Sequence, residues 1–173
     1  MTHEASNLKG IPFPLFLVMT LQFAVGGAVL PFMSMWLEEK GLSFSEISLI
    51  FSVASTTFLV FPFLWGMIAD RYLPIEWMFF FLNGMAGVSM WWMQSQSEYG
   101  GLMLSFVFFY SFYHPTFTLI NALSFQYLTQ PKEQFGAVRA WGSVGWILPS
   151  LLVFAWLLYH PNAPLQFVLK VGM

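Results

Sequence analysis

Tyr110, His114, Phe117, Asn121 and Phe125 recur at intervals of three and four residues. At about 100° per residue they share one narrow helical face, with Ser124 beside it. The chemistry on offer there is hydrogen bonding, because an imidazole and an amide both donate and accept. A second face carries Arg139, Ser143, Trp146 and Ser150, with Gly142 and Gly145 thinning the helix next to it. A planar fork of five donors, with an indole one or two turns away, can hold and stack a flat, hydrogen-bonding ligand. Arg139 also lies about one turn inside its apolar run, close enough to the end to snorkel to headgroups. The residues alone leave both readings open. The same holds for Gln22 and Asn121, each either a cavity-facing amide or an interhelical hydrogen bond that only joins helices.

What is missing narrows the chemistry further. All eight Asp and Glu residues sit at or near the ends of apolar runs, and only His114 can titrate deep inside one. A carrier driven by protons typically buries a titrating acid, so if this chain belongs to one, its coupling acid is expected outside this stretch. There is no cysteine, and His3, His114 and His160 are far apart, so neither a metal site nor a cofactor is expected. No cluster of His, Asp, Glu and Ser has catalytic spacing, which argues against an enzyme.

The elements that must position these residues follow from composition. The 173 residues are 58% hydrophobic, 20% aromatic and 8% charged, against about 25% charged for a soluble domain. The net charge of −2 gives no reason to expect a nucleic-acid partner. Apolar runs longer than about 18 residues recur, which predicts an all-α polytopic protein in a lipid bilayer. The first run is too long for a cleavable signal core. Predicted spans are 11–37, 44–69, 74–95, 101–128 and 135–159, behind a short N-terminus of residues 1–10. Ser43 to Glu46 reads as a capping box and Gly41 as a C-terminal cap. Pro115 must leave the Ser111 carbonyl without its helical donor. Residues 165–173 begin a sixth apolar run too short to cross, so a sequence continuing beyond it is expected. Lys9, Arg71 and Lys132 on one side against Lys40 on the other predict a cytoplasmic N-terminus. Small residues at Ala24, Gly26, Gly27 and Ala28, at Ser48, Ser52 and Thr56, and at Gly84 and Gly87 are expected to let helices approach.

Three stretches then carry a resemblance. Gly66 to Arg71, GMIADR, resembles the signature between helices 2 and 3 of the major facilitator superfamily, and Tyr72, Leu73 and Trp77 resemble its continuation in the nucleoside:proton symporter family. Pro115, Thr116, Leu119, Ile120, Asn121 and Ser124 resemble a second motif of that family. Arg139 with Trp141 to Trp146 resembles a third, and Leu21-Gln22-Phe23 also agrees. The resemblance implies the N-terminal six-helix half of a twelve-helix carrier: five complete spans plus a truncated sixth. It implies transport of a nucleoside by proton symport through alternating access, in the cell inner membrane. Arg139, Ser143 and Trp146 would bind substrate, Gln22, His114 and Asn121 would line the pathway, and Asp70 and Arg71 would form the cytoplasmic gate. The C-terminal half would supply the remainder. Alternatives are a carrier for another small polar solute, such as a sugar or aromatic acid, or a non-transporting membrane fragment.

Overall fold

The computed structural model describes residues 10–161, 164–166, 170 and 172, the side chain of Asp70 excepted. The predicted N-terminal tail and most of the predicted sixth run lie outside the described residues. Among these residues all regular structure is helical: α1 Phe13–Val29, a 3-10 turn Leu30–Phe32, α2 Met33–Glu39, α3 Phe44–Tyr72, α4 Ile75–Gln94, α5 Tyr99–Tyr127 and α6 Pro131–Tyr159.

The ends of these helices have local causes. The expected first span is interrupted at Leu30–Phe32, because Pro31 has no N–H to continue the helix. α2 closes on Gly41, whose φ of 88° is left-handed. The Gly41 N–H donates to the Glu38 carbonyl at 2.9 Å, and the Leu42 N–H to Leu37 at 3.3 Å. The capping box forms: the Glu46 carboxylate accepts from the Ser43 N–H at 2.8 Å, and the Ser43 hydroxyl accepts from the Glu46 N–H at 3.4 Å. α3 then runs on through Asp70 and Arg71, which were expected in a loop. Nothing stops it before Leu73, which precedes Pro74 and is extended at φ −138°, ψ 140°. α6 starts four residues earlier than expected, with Pro131 in its first turn and the Gln134 side chain accepting from the Gln130 N–H at 3.0 Å.

Among the described residues four helical stretches are long and apolar enough to cross a membrane: Phe13–Glu39, Phe44–Ala69, Tyr99–Tyr127 and Pro131–Tyr159. α4, with 20 residues, has the length of about 30 Å that a bilayer core requires. It is not among the four because Glu76 and Asn83 dilute its apolar character.

The chain divides into two compact units. In the first, Met1–Pro31 with Ile120–Ala163, α1 packs along α6. Phe16 meets Trp141 edge-on at 6.0 Å between ring centroids, and the Ser150 hydroxyl, 2.8 Å from the Trp146 carbonyl of its own helix, donates at the shorter distance of 2.6 Å to the Gly27 carbonyl. Contacts that advance together along both helices make them parallel. The Gly27 carbonyl is the acceptor that Pro31, four residues on, cannot serve, so Ser150 fills a vacancy in the helix. A Cβ at Gly27 would run into the Trp146 backbone, and one at Gly145 into the Thr20 backbone. These two glycines are what let the backbones approach so closely.

The second unit, Phe32–Leu119 with Pro164–Met173, is held by an apolar cluster of Met78, Leu82 and Leu119, against which Trp65, Ile68 and Phe112 pack. The predicted orphan carbonyl of Ser111 accepts from the Trp65 indole N–H at 3.1 Å. Two expected packing stripes do not join helices here. A Cβ at Gly84 or Gly87 would meet nothing within 4 Å. Ser48, Ser52 and Thr56 are exposed, and the Ser52 and Thr56 hydroxyls donate to carbonyls of their own helix.

Candidate functional site

A cavity of about 330 Å³ opens between α1 and α6, lined by Phe23, Arg139, Ser143, Trp146 and Ile147. That volume is at the lower end of the roughly 300–1,000 Å³ usual for small-molecule sites. Spacing put Arg139, Ser143 and Trp146 on one face, and the packing of α6 on α1 turns that face into a wall. The guanidinium carbon of Arg139 lies 4.3 Å from the centroid of the Phe23 ring. Among the described residues it makes no hydrogen bond and no ion pair, so its five donors are unspent. The Ser143 hydroxyl has no described partner either. Phe23 is ten residues into α1, about 15 Å along its axis. The head of Arg139 therefore lies against the middle of α1 and is not stretched toward the start of its own helix.

Ser150, expected on this face, does not reach the cavity and is spent on the Gly27 carbonyl. Gln22 is buried and Asn121 half-buried in the same unit, and neither is on the cavity wall. The side-chain oxygen of Asn121 is buried with no hydrogen-bond partner among the described residues. An acceptor left in that state costs about 1–3 kcal/mol.

In the second unit His114 is half-buried, edge-on to Phe58 at 5.3 Å and tilted over Tyr110 at 4.4 Å. Its Nδ1 lies 3.4 Å from the Thr57 hydroxyl. That hydroxyl donates its one proton to the Ala54 carbonyl at 2.6 Å. His114 can therefore meet it only as an Nδ1–H donor, which leaves Nε2 as the acceptor of a neutral ring. Arg71 is exposed and borders a separate hollow with Met67, Ile68 and Tyr72. The Asp70 side chain lies outside the described residues.

Sequence reasoning did not assign Phe23 and Ile147 to this site. Ile147 follows Arg139, Ser143 and Trp146 at helical spacing and was legible as their neighbour. Phe23 stood in the Leu21-Gln22-Phe23 stretch that carries the resemblance but had no role there, because only the pairing of α1 with α6 brings its ring against the guanidinium. Among the described residues no group of three or more His, Cys, Asp or Glu could hold a metal ion.

Known proteins resemble this chain over most of its length. The model of the MFS_1 like family matches residues 14–170. The putative nucleoside transporter YegT of Escherichia coli is 24% identical over 134 residues, 78% of this chain and 32% of that protein. The nucleoside permease NupG of the same organism is 27% identical over 142 residues, 77% of this chain and 33% of that protein. An uncharacterised transporter of Bacillus subtilis, YwbF, is 25% identical over 130 residues, 75% of this chain and 32% of that protein. A crystal structure of the nucleoside transporter NupG superposes with a TM-score of 0.79 at 21% identity, covering 91% of this chain and 39% of that one. The chain thus spans about a third of the length of the curated relatives it matches.

Proposed function

The chain belongs to the MFS_1 like family of multi-pass membrane proteins, and from that premise we propose that it is the N-terminal part of a nucleoside carrier. The carrier works by alternating access and proton symport in the cell inner membrane, with its N-terminus in the cytoplasm. Its C-terminal half completes the site and holds the coupling acid. One observation carries the reading: a cavity of nucleoside scale whose wall presents an unspent guanidinium, a hydroxyl and an indole together. The fork and hydroxyl suit the carbonyl and hydroxyl edges of a nucleoside, and the indole suits a base that stacks. The similarity to YegT, a putative nucleoside transporter, and to NupG, a nucleoside permease, points the same way. Gln22, His114 and Asn121 line the route, and Asp70 with Arg71 forms the gate.

The parallel course of α1 and α6 supports α4 as a further crossing. Helices that cross in succession alternate in direction, so the first and last are parallel only when an odd number of crossings lies between them. α3, α4 and α5 supply three, and without α4 there would be two. That count favours five complete spans.

Uptake by the intact carrier in cells without their own nucleoside transport tests the substrate. Uridine and adenosine are expected to accumulate, and glucose and benzoate are not. A second reading, a carrier for aromatic acids, is favoured by the lack of a described carboxylate against Arg139. Benzoate uptake without uridine or adenosine uptake would establish that reading and remove the first.

A further expected result concerns coupling. His114 faces two rings and a hydroxyl, with no described acid among these contacts. His114→Gln keeps a donor and an acceptor but cannot titrate. The dependence of uptake on external pH should keep its shape in this variant. Loss of that dependence would move the coupling site into this half.

A further inference from the structure

We propose that Phe23 and Gly142 are positioning residues that aim the Arg139 fork at the solute. This rests on the nucleoside reading of the same cavity. A guanidinium placed deep in an apolar bundle is costly. Such a group ordinarily takes a carboxylate or a set of carbonyls as partner, and Arg139 has neither among the described residues. What it has is the face of Phe23, at 4.3 Å from guanidinium carbon to ring centroid. A phenyl face attracts a cation through its quadrupole and uses none of the N–H donors, which lie in the guanidinium plane. The ring therefore holds the charge while the donors stay available to the cavity. A carboxylate in its place would consume them.

Gly142 leaves room for that contact. A Cβ at this position would lie 3.0 Å from Arg139 Nη1 and 3.0 Å from Phe23 Cδ2. Even a methyl group would press on the fork and the ring at once. Phe23 is itself 7% exposed, so packing limits how far its ring can yield. The solute class that follows has an uncharged acceptor edge, such as the carbonyl and ring-nitrogen edge of a nucleobase, which takes donors without needing a full counter-charge.

The test measures uridine and adenosine binding to the purified intact carrier in detergent, with melting temperature recorded for every variant. Phe23→Leu keeps an apolar side chain and removes the quadrupole, and should weaken binding about tenfold, in keeping with a desolvated cation–π contact. Phe23→Tyr keeps the ring and should retain most of the affinity. Singly and then triply fluorinated phenylalanine at position 23 weakens the quadrupole with little change in size, and should lower affinity stepwise. Gly142→Ala should lower affinity with a smaller loss of melting temperature than Gly27→Ala, since a Cβ there meets side chains and not backbone. A flat fluorination series, or Phe23→Leu binding as the wild type does, would overturn the proposal. Should the wild-type carrier bind benzoate and neither nucleoside, the substrate reading falls. The same fluorination series, read with benzoate, then decides on the ring separately.

Discussion

Arg139→Lys is expected to impair uptake nearly as far as Arg139→Ala, by about tenfold or more at low substrate. Both side chains are cations, so a role that needed only charge near the membrane edge would survive the exchange. The observed geometry asks for more than charge. The guanidinium lies on the Phe23 ring at 4.3 Å and lines the cavity beside Ser143 and Trp146. An ammonium has three donors on a point charge and cannot present a planar pair to a carbonyl edge. A hydrogen bond to a charged group is worth about 1.5–3 kcal/mol, and about 1.4 kcal/mol is a factor of ten in affinity. Loss of one such bond already gives the stated effect. Initial rates of uridine uptake, normalised to carrier in the membrane, check it. Wild-type rates in the lysine variant would show that Arg139 serves as a membrane-edge charge.

Much of this arrangement can be read from local rules, and the rest cannot for identifiable reasons. Pro115 announces its own defect, because a proline always deprives the carbonyl four residues back, and Ser111 was identifiable in advance. The donor was not, since Trp65 lies on another helix. Pro31 creates the same defect at Gly27, and Ser150 answers it. That pairing explains why Ser150, on the same face as Arg139, is spent on α1 and not on the cavity. Capping by Ser43 and Glu46 and the left-handed Gly41 are local and came out as read. The small-residue stripes show where local reading stops. Gly27 and Gly84 look alike in sequence, yet one meets a backbone and the other meets nothing. Which glycine is used depends on which helices pair, and that is a property of the whole fold.

Gly27→Ala and Gly145→Ala should each destabilise the protein and reduce uptake, against the usual sign of the substitution. In an exposed helix interior, alanine is favoured over glycine by about 1 kcal/mol. Gly136 on α6 is such a place, with nothing within 4 Å of a Cβ, and Gly136→Ala should be neutral or stabilising. At Gly27 the new methyl would enter the Trp146 carbonyl group, and at Gly145 the Thr20 carbonyl group. Those obstacles are backbone, which cannot rotate aside as a side chain can, so α1 and α6 must separate. Overpacking of this kind costs about 1–3 kcal/mol. Separation also draws Trp146 away from α1 and lengthens the 2.6 Å bond from Ser150 to Gly27, widening the cavity wall. Both sites lie at one crossing, so the double variant should cost less than the sum of the singles, because helices already parted accommodate the second methyl. Melting temperatures of the four proteins in detergent would show this, and strict additivity would mean that the two glycines act at separate contacts.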